Sequence, residues 1–188
     1  MRAERLREEY EIDVEWQPFE LHPEIPLEGK DVSGRTAAYY EQLRGLAVDA
    51  GLTFQTPTRV PNSRRSLEAA EFAREHDAFA PYHSALFEAY FSRGQDIGDP
   101  AVLAELATAV GLDPDGVREA LDSGRYASTV EERTEEARQA GITGTPTFVF
   151  QSGDRTLPIV GAQEYAVFEN VARRMGAVPK RQNAEPRT

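Results

Sequence analysis

The chain has 188 residues, a net charge of −11 and no cysteine, a length that carries one domain with a sizeable core or a core domain with an insertion. The missing thiols exclude disulfides, thiolate nucleophiles and Cys-ligated metals. The acidic balance, without a basic cluster, argues against a nucleic-acid partner. No stretch approaches the ~20 apolar residues that span a membrane, and the charge-alternating start has no apolar segment of a secretory signal, so the chain is read as cytoplasmic.

Met1 to Tyr10 reads as the tail of a helix. Ile12 to Phe19 alternates apolar and polar residues at period two and predicts a strand closed by Pro18. His22 to Gly34 is a loop. Thr36 to Ala50 has helical spacing and a stop at Gly51, and Leu52 to Pro61 is extended or loop. From Asn62 the pattern is helical for about eighty residues. Asn62 or Ser63 caps a helix running to Glu75, and another starts near Pro81 and stops at Gly94. Asp99-Pro100 and Asp113-Pro114 are N-cap and N1 pairs opening two more, and a charged helix spans Ser128 to Ala140. The period then returns to two. Thr147 to Phe150 and Leu157 to Val160 form a hairpin around Ser152-Gly-Asp154, and Gln163 to Met175 is a last helix with Phe168, Val171, Ala172 and Met175 inward. Ala177 to Thr188 is a polar tail expected to be disordered.

The histidines His22, His76 and His83 show no metal-ligand spacing. His76 and His83 would share a helical face if Pro81 did not break the helix between them. Packed or half-exposed rings are the expected role.

Five segments, in this order, carry a resemblance: Trp16-Gln-Pro-Phe-Glu-Leu-His-Pro23, Pro61-Asn-Ser-Arg-Arg-Ser-Leu-Glu-Ala-Ala70, Ala85-Leu-Phe-Glu-Ala-Tyr-Phe91 with Asp96-Ile-Gly-Asp99, Gly141-Ile-Thr-Gly-Thr-Pro-Thr-Phe-Val-Phe150, and Val160-Gly-Ala-Gln163. Together they make the chain similar to the DsbA-like thioredoxin family, in particular its FrnE-type oxidoreductase branch, from Met1 to about Arg174. The resemblance implies an α/β, thioredoxin-like fold with a large all-helical insertion. Residues 1–61 and 141–176 would form the thioredoxin-like domain, 62–140 the insertion and 177–188 the tail. The family's first strand and the front of its first helix, with the Cys-x-x-Cys motif, are missing from this sequence.

The resemblance further implies that Pro146 is the family's cis-proline. The backbone of Thr145, beside Gly144, would then face outward and pair with an extended peptide as an added strand. Asn62 and Ser63 match a segment lining the same cleft, a ligand contact and a plain helix cap both remaining open. By family the chain is a thiol–disulfide oxidoreductase, but without cysteine it is expected to be redox-inactive as given. A non-enzymatic peptide-binding or chaperone-like module is the alternative, and a glutathione-dependent isomerase or transferase ranks below it. No cofactor is expected, glutathione being the one small molecule that would enter the cleft; the expected partners are a peptide or protein substrate and a second copy of the chain.

The missing strand would lie inside the sheet, between the strand at Asp13 to Trp16 and the one at Thr147 to Phe150. Each backbone group left buried and unpaired costs about 1–3 kcal/mol, against a net stability of about 5–15 kcal/mol. A sheet with an empty slot is therefore not expected. Either the sheet closes, another chain donates a strand, or the first residue of this sequence lies downstream of the real start.

Overall fold

A computed structural model describes residues 2–32, 40, 41, 44, 45, 47, 48 and 53–180. Among them the elements are α1 (Arg2–Glu9), β1 (Lys30–Asp31), β2 (Arg59–Val60), α2 (Arg64–Glu75), α3 (Phe79–Phe87) continued by a π-helical turn (Glu88–Ser92), α4 (Pro100–Ala109), α5 (Pro114–Asp122), α6 (Ala127–Gln139), β3 (Thr147–Ser152), β4 (Arg155–Val160) and α7 (Tyr165–Arg174). Contacts divide the chain into two compact units, Met1–Gln17 with Arg138–Thr188, and Pro18–Ala137. None of the described helices is long and apolar enough to cross a membrane.

In the first unit β3 and β4 pair antiparallel from Thr147↔Val160 to Ser152↔Arg155. Gly153, at φ 55°, supplies the left-handed residue that this tight turn requires. Phe148, Phe150 and Ile159 lie on one face of the hairpin and pack with Leu6, Tyr10, Phe168 and Ala172, the Phe148 ring meeting Phe168 edge-on at 4.7 Å. Polar contacts then join α1 to α7. The Tyr165 hydroxyl donates to Glu9 at 2.6 Å, the Arg5 guanidinium lies 3.9 Å over the Tyr165 ring, and the Tyr10 hydroxyl donates to Glu169 at 2.9 Å.

Two expectations are corrected here. Residues 177–180 are not a loose tail: Tyr10 bridges Pro179, and Lys180 N–H donates to the Glu9 carbonyl at 2.8 Å. Residues 181–188 lie outside the described set. Ile12 to Phe19 is no strand. Its half-buried Ile12, Val14 and Trp16 alternate with exposed Asp13, Glu15 and Gln17, but the segment joins no ladder among the described residues. Apolar alternation orients side chains; a strand also needs a neighbour for its backbone.

The hairpin's two edges differ. Gly161 N–H donates to the Pro146 carbonyl in the register of the ladder. Counting by twos from that pair, Thr147, Val149 and Gln151 turn their N–H and C=O groups away from β4. Those groups have no backbone partner among the described residues. On β4 the corresponding outward positions are Thr156, Pro158 and Val160, and the central one, Pro158, has no N–H to offer and suits an edge.

The second unit is helical. Its core gathers Phe72, Tyr82, Leu86, Leu103, Leu106 and Val117 with several alanines, and the buried Tyr82 hydroxyl is satisfied by the Leu103 carbonyl at 3.0 Å. Both Asp-Pro starts behave as read: Asp99 accepts from Ala101 N–H at 2.8 Å and Asp113 from Asp115 N–H at 3.0 Å. Pro81 does not break its helix. It stands in the first turn of α3, where its N–H would be unused, and the chain turns earlier, at Asp77, φ 56°.

The described residues of 18–61, assigned to the thioredoxin-like domain by sequence, group with the helical unit. Glu20 N–H donates to Thr134 Oγ1 at 3.0 Å, Gln55 N–H to the Phe91 carbonyl at 2.8 Å, and a short β1–β2 ladder, not foreseen, pairs Lys30 with Val60. Of the helix expected over 36–50, the described residues Tyr40, Glu41, Arg44, Gly45, Ala47 and Val48 are helical. Its Gly51 stop lies outside the described residues.

Candidate functional site

Gly144, Thr145 and Pro146 form one surface at the head of β3. The Thr145–Pro146 peptide is cis, and both residues are exposed. The loop is held at each end. Gly141, at φ 83°, closes α6 with its N–H on the Arg138 carbonyl at 2.9 Å. Downstream, Thr147 Oγ1 donates to the Gly144 carbonyl at 2.7 Å and Gly161 N–H to the Pro146 carbonyl at 2.8 Å. Gln163 steadies the facing turn, its Nε2 donating to the Val160 carbonyl at 3.0 Å. The backbone N–H and C=O of Thr145 have no partner among the described residues. A Cβ built on Gly144 would meet nothing within 4 Å, so the surface is open.

Asn62 and Ser63 stand in the other unit, at the start of α2. Asn62 is buried; its Nδ2 donates to the Ile25 carbonyl at 2.5 Å and its Oδ1 accepts from Arg64 N–H at 2.9 Å. That is the Asx geometry of a helix cap, combined with a grip on the preceding loop. The Ser63 side chain makes no capping bond; its carbonyl accepts from Ser66 Oγ at 2.8 Å.

Sequence reading missed what surrounds Asn62. Arg64 spans Glu20 at 2.8 Å, Glu68 at 3.1 Å and the Ala127 carbonyl at 3.1 Å, so two buried carboxylates share one guanidinium. Gly98 backs the Asn62 peptide so closely that a Cβ there would lie 2.9 Å from the Asn62 carbonyl oxygen. The Asp96-Ile-Gly-Asp99 segment was the available signal: Asp96 Oδ1 accepts from Gly98 N–H at 2.8 Å.

A proline loop leading into a hairpin and a terminal helix, with a helical block inserted before it, defines a thioredoxin-like fold. The DSBA-like thioredoxin domain model matches residues 1–172. The uncharacterized protein YwbO of Bacillus subtilis (strain 168) is 32% identical over 164 residues, spanning 85% of this chain and 80% of that protein. Among solved structures, a probable DsbA oxidoreductase from Streptomyces coelicolor superimposes with a TM-score of 0.70 at 28% identity, covering 90% of this chain and 76% of that one. A cytosolic disulfide reductase from Pseudomonas aeruginosa, DsbM, shares the fold at a TM-score of 0.59 and 18% identity, over 77% of this chain and 78% of that one. The chain belongs to the DsbA-like thioredoxin family. Its 188 residues contain no cysteine, so they hold no Cys-x-x-Cys pair.

Proposed function

We propose that this chain is a DsbA-like, FrnE-type thioredoxin-fold protein, by family a thiol–disulfide oxidoreductase, that holds polypeptide at its proline loop and, having no cysteine, carries out no exchange of its own. The observation that carries this reading is the exposed Thr145 backbone, without a partner among the described residues, at the head of a strand whose outer edge is also open. An extended peptide placed there gains main-chain hydrogen bonds whatever its side chains. Glutathione, itself an extended tripeptide, would meet the same groups. Thiol–disulfide exchange needs a thiolate to attack a disulfide sulfur, and no side chain of these residues supplies one. The cytosolic origin stated for DsbM is compatible with the cytoplasmic reading.

The test is twofold. The 188-residue chain should give no turnover in an insulin-reduction assay; turnover would overturn the redox half of the reading. It should bind an unstructured peptide and lose that binding when alternate peptide amides are N-methylated. Equal binding of the methylated peptide would overturn strand addition. The open β3 edge supports a second reading, pairing with the same edge of another copy, which a concentration-independent monomer in sedimentation would exclude.

A further inference from the structure

A row of rings runs along one face of α3 and its π-helical continuation, at four-residue spacing. Phe79 stacks on His83 at 5.1 Å, and the row continues through tilted contacts of His83 with Phe87 at 4.7 Å and of Phe87 with Phe91 at 5.7 Å. The Arg74 guanidinium covers the Phe79 end at 4.0 Å, and Phe54 closes the Phe91 end at 6.4 Å. Phe87 and Phe91 nevertheless remain 43% and 40% exposed. Burying a phenylalanine stabilises by about 1.5–3 kcal/mol, and here two adjacent rings forgo much of that. The π-helical turn Glu88–Ser92 lies where the row is most exposed, and such turns are frequent at functional sites.

Charge narrows what could cover the row. The nine residues of α3, Phe79–Phe87, include no Asp, Glu, Lys or Arg, in a chain of net charge −11. Of the cations near its two ends, Arg74 pairs with Glu71 at 3.0 Å and Arg93 with Glu88 at 3.3 Å. The row itself offers an anion no countercharge, while the chain's net charge of −11 repels anions and attracts cations. A segment matching both features is apolar and aromatic where it meets the rings and basic on either side.

We propose that this aromatic row is a second contact surface for client polypeptide, selecting unfolded segments with aromatic or large apolar residues between basic flanks. The inference rests on the reading of the chain as a polypeptide binder and names the class of client.

The probes are two unstructured dodecapeptides with identical lysine flanks, one with a Phe-Leu-Phe centre and one with Ser-Ser-Ser, titrated calorimetrically into the full chain and into its F87S/F91S variant. Both rings are already half exposed, so the variant is expected to keep the wild-type circular dichroism spectrum. The Phe peptide should bind wild type more tightly than the Ser peptide and lose roughly tenfold or more on F87S/F91S, as interface anchors do. Its binding should also weaken as salt rises. Equal affinity of the Phe peptide for wild type and variant would overturn the proposal while leaving strand addition standing. Binding that needs Phe87 and Phe91 but ignores N-methylation of the peptide would support the row and overturn strand addition. If F87S/F91S abolishes self-association and peptide affinity is unchanged, a second copy covers the row and the proposal fails. Should wild type bind neither peptide, both readings fail.

Discussion

Asn62 donates its side-chain amide to the Ile25 carbonyl at 2.5 Å, and the same side chain caps α2 through Arg64 N–H. One buried residue thereby ends a loop and starts a helix. Asn62→Ala should lower stability by about 1–3 kcal/mol, because it removes a cap and leaves a buried carbonyl unpaired. Asn62→Asp keeps the cap acceptor but sets a carboxylate against that carbonyl, and should be no better. Urea unfolding measures both. A loss below 0.5 kcal/mol, on the order of an ordinary surface change, would show that the Ile25 bond adds nothing.

The Arg64 hub makes a larger prediction. Glu20 and Glu68 side chains are each 8% exposed. Removing the shared guanidinium takes an ion-pair partner from both buried charges, and breaking a buried pair this way costs about 3–5 kcal/mol. Arg64→Ala should therefore be among the most damaging single changes in the helical unit. Arg64→Lys should recover only part of the loss, since an ammonium cannot fork between two carboxylates and the Ala127 carbonyl. The check is the unfolding midpoint of the two variants against wild type.

Gly98 and Gly144 should respond oppositely to alanine. A Cβ on Gly98 would lie 2.9 Å from the Asn62 carbonyl oxygen and 3.1 Å from Asp96 Oδ1, so Gly98→Ala must push backbone apart, at about 1–3 kcal/mol. Gly144 has open space around it, and Gly144→Ala should leave thermal stability within about 0.5 kcal/mol. Differential scanning calorimetry separates the pair.

Alkaline pH should weaken the fold through its tyrosines. Burial first, and the Glu75 hydrogen bond second, push Tyr126 up to about 12; burial also raises Tyr82, and burial with the Glu9 bond raises Tyr165. A phenol whose folded pKa is raised adds stability that is fully present below about 10, its unfolded value, and lost as pH climbs toward the folded one. Midpoints measured from pH 8 to 12 should fall beyond 10, and Tyr126→Phe should shallow that fall. An unchanged slope in the variant would remove Tyr126 from the account.

Acid should act through the carboxylates. The Tyr126 hydroxyl holds Glu75 below its usual range, and the Tyr165 hydroxyl, then Arg5, do the same for Glu9. A carboxylate with a depressed folded pKa adds stability that is present above its unfolded value, about 4.3, and fades as pH falls below it. Glu9→Gln should therefore cost stability at pH 7 and little at pH 2, a difference that acid titration of the unfolding midpoint reads directly.

Local signals made the helices of this chain legible. The Asp-Pro starts, the Asn62 cap, the period of 3.6 through α2, α4 and α7, and the Gly153 hairpin all act over a few residues, and each stands in the structure where its residues place it. The proline loop was legible for the same reason, as a short ordered string from Gly144 to Thr147. What the sequence by itself determined is thus every element whose hydrogen bonds close within its own segment, and the family that their order defines. Tertiary structure decided the rest. Ile12 to Phe19 alternates like a strand but joins no ladder among the described residues, residues 177–180 look like tail but bond to α1, and Glu20, Ile25 and Gln55 bond within the helical unit. The physical reason is common to all three: whether a segment pairs, and with what, is decided by chain far away in sequence, and nothing local specifies it.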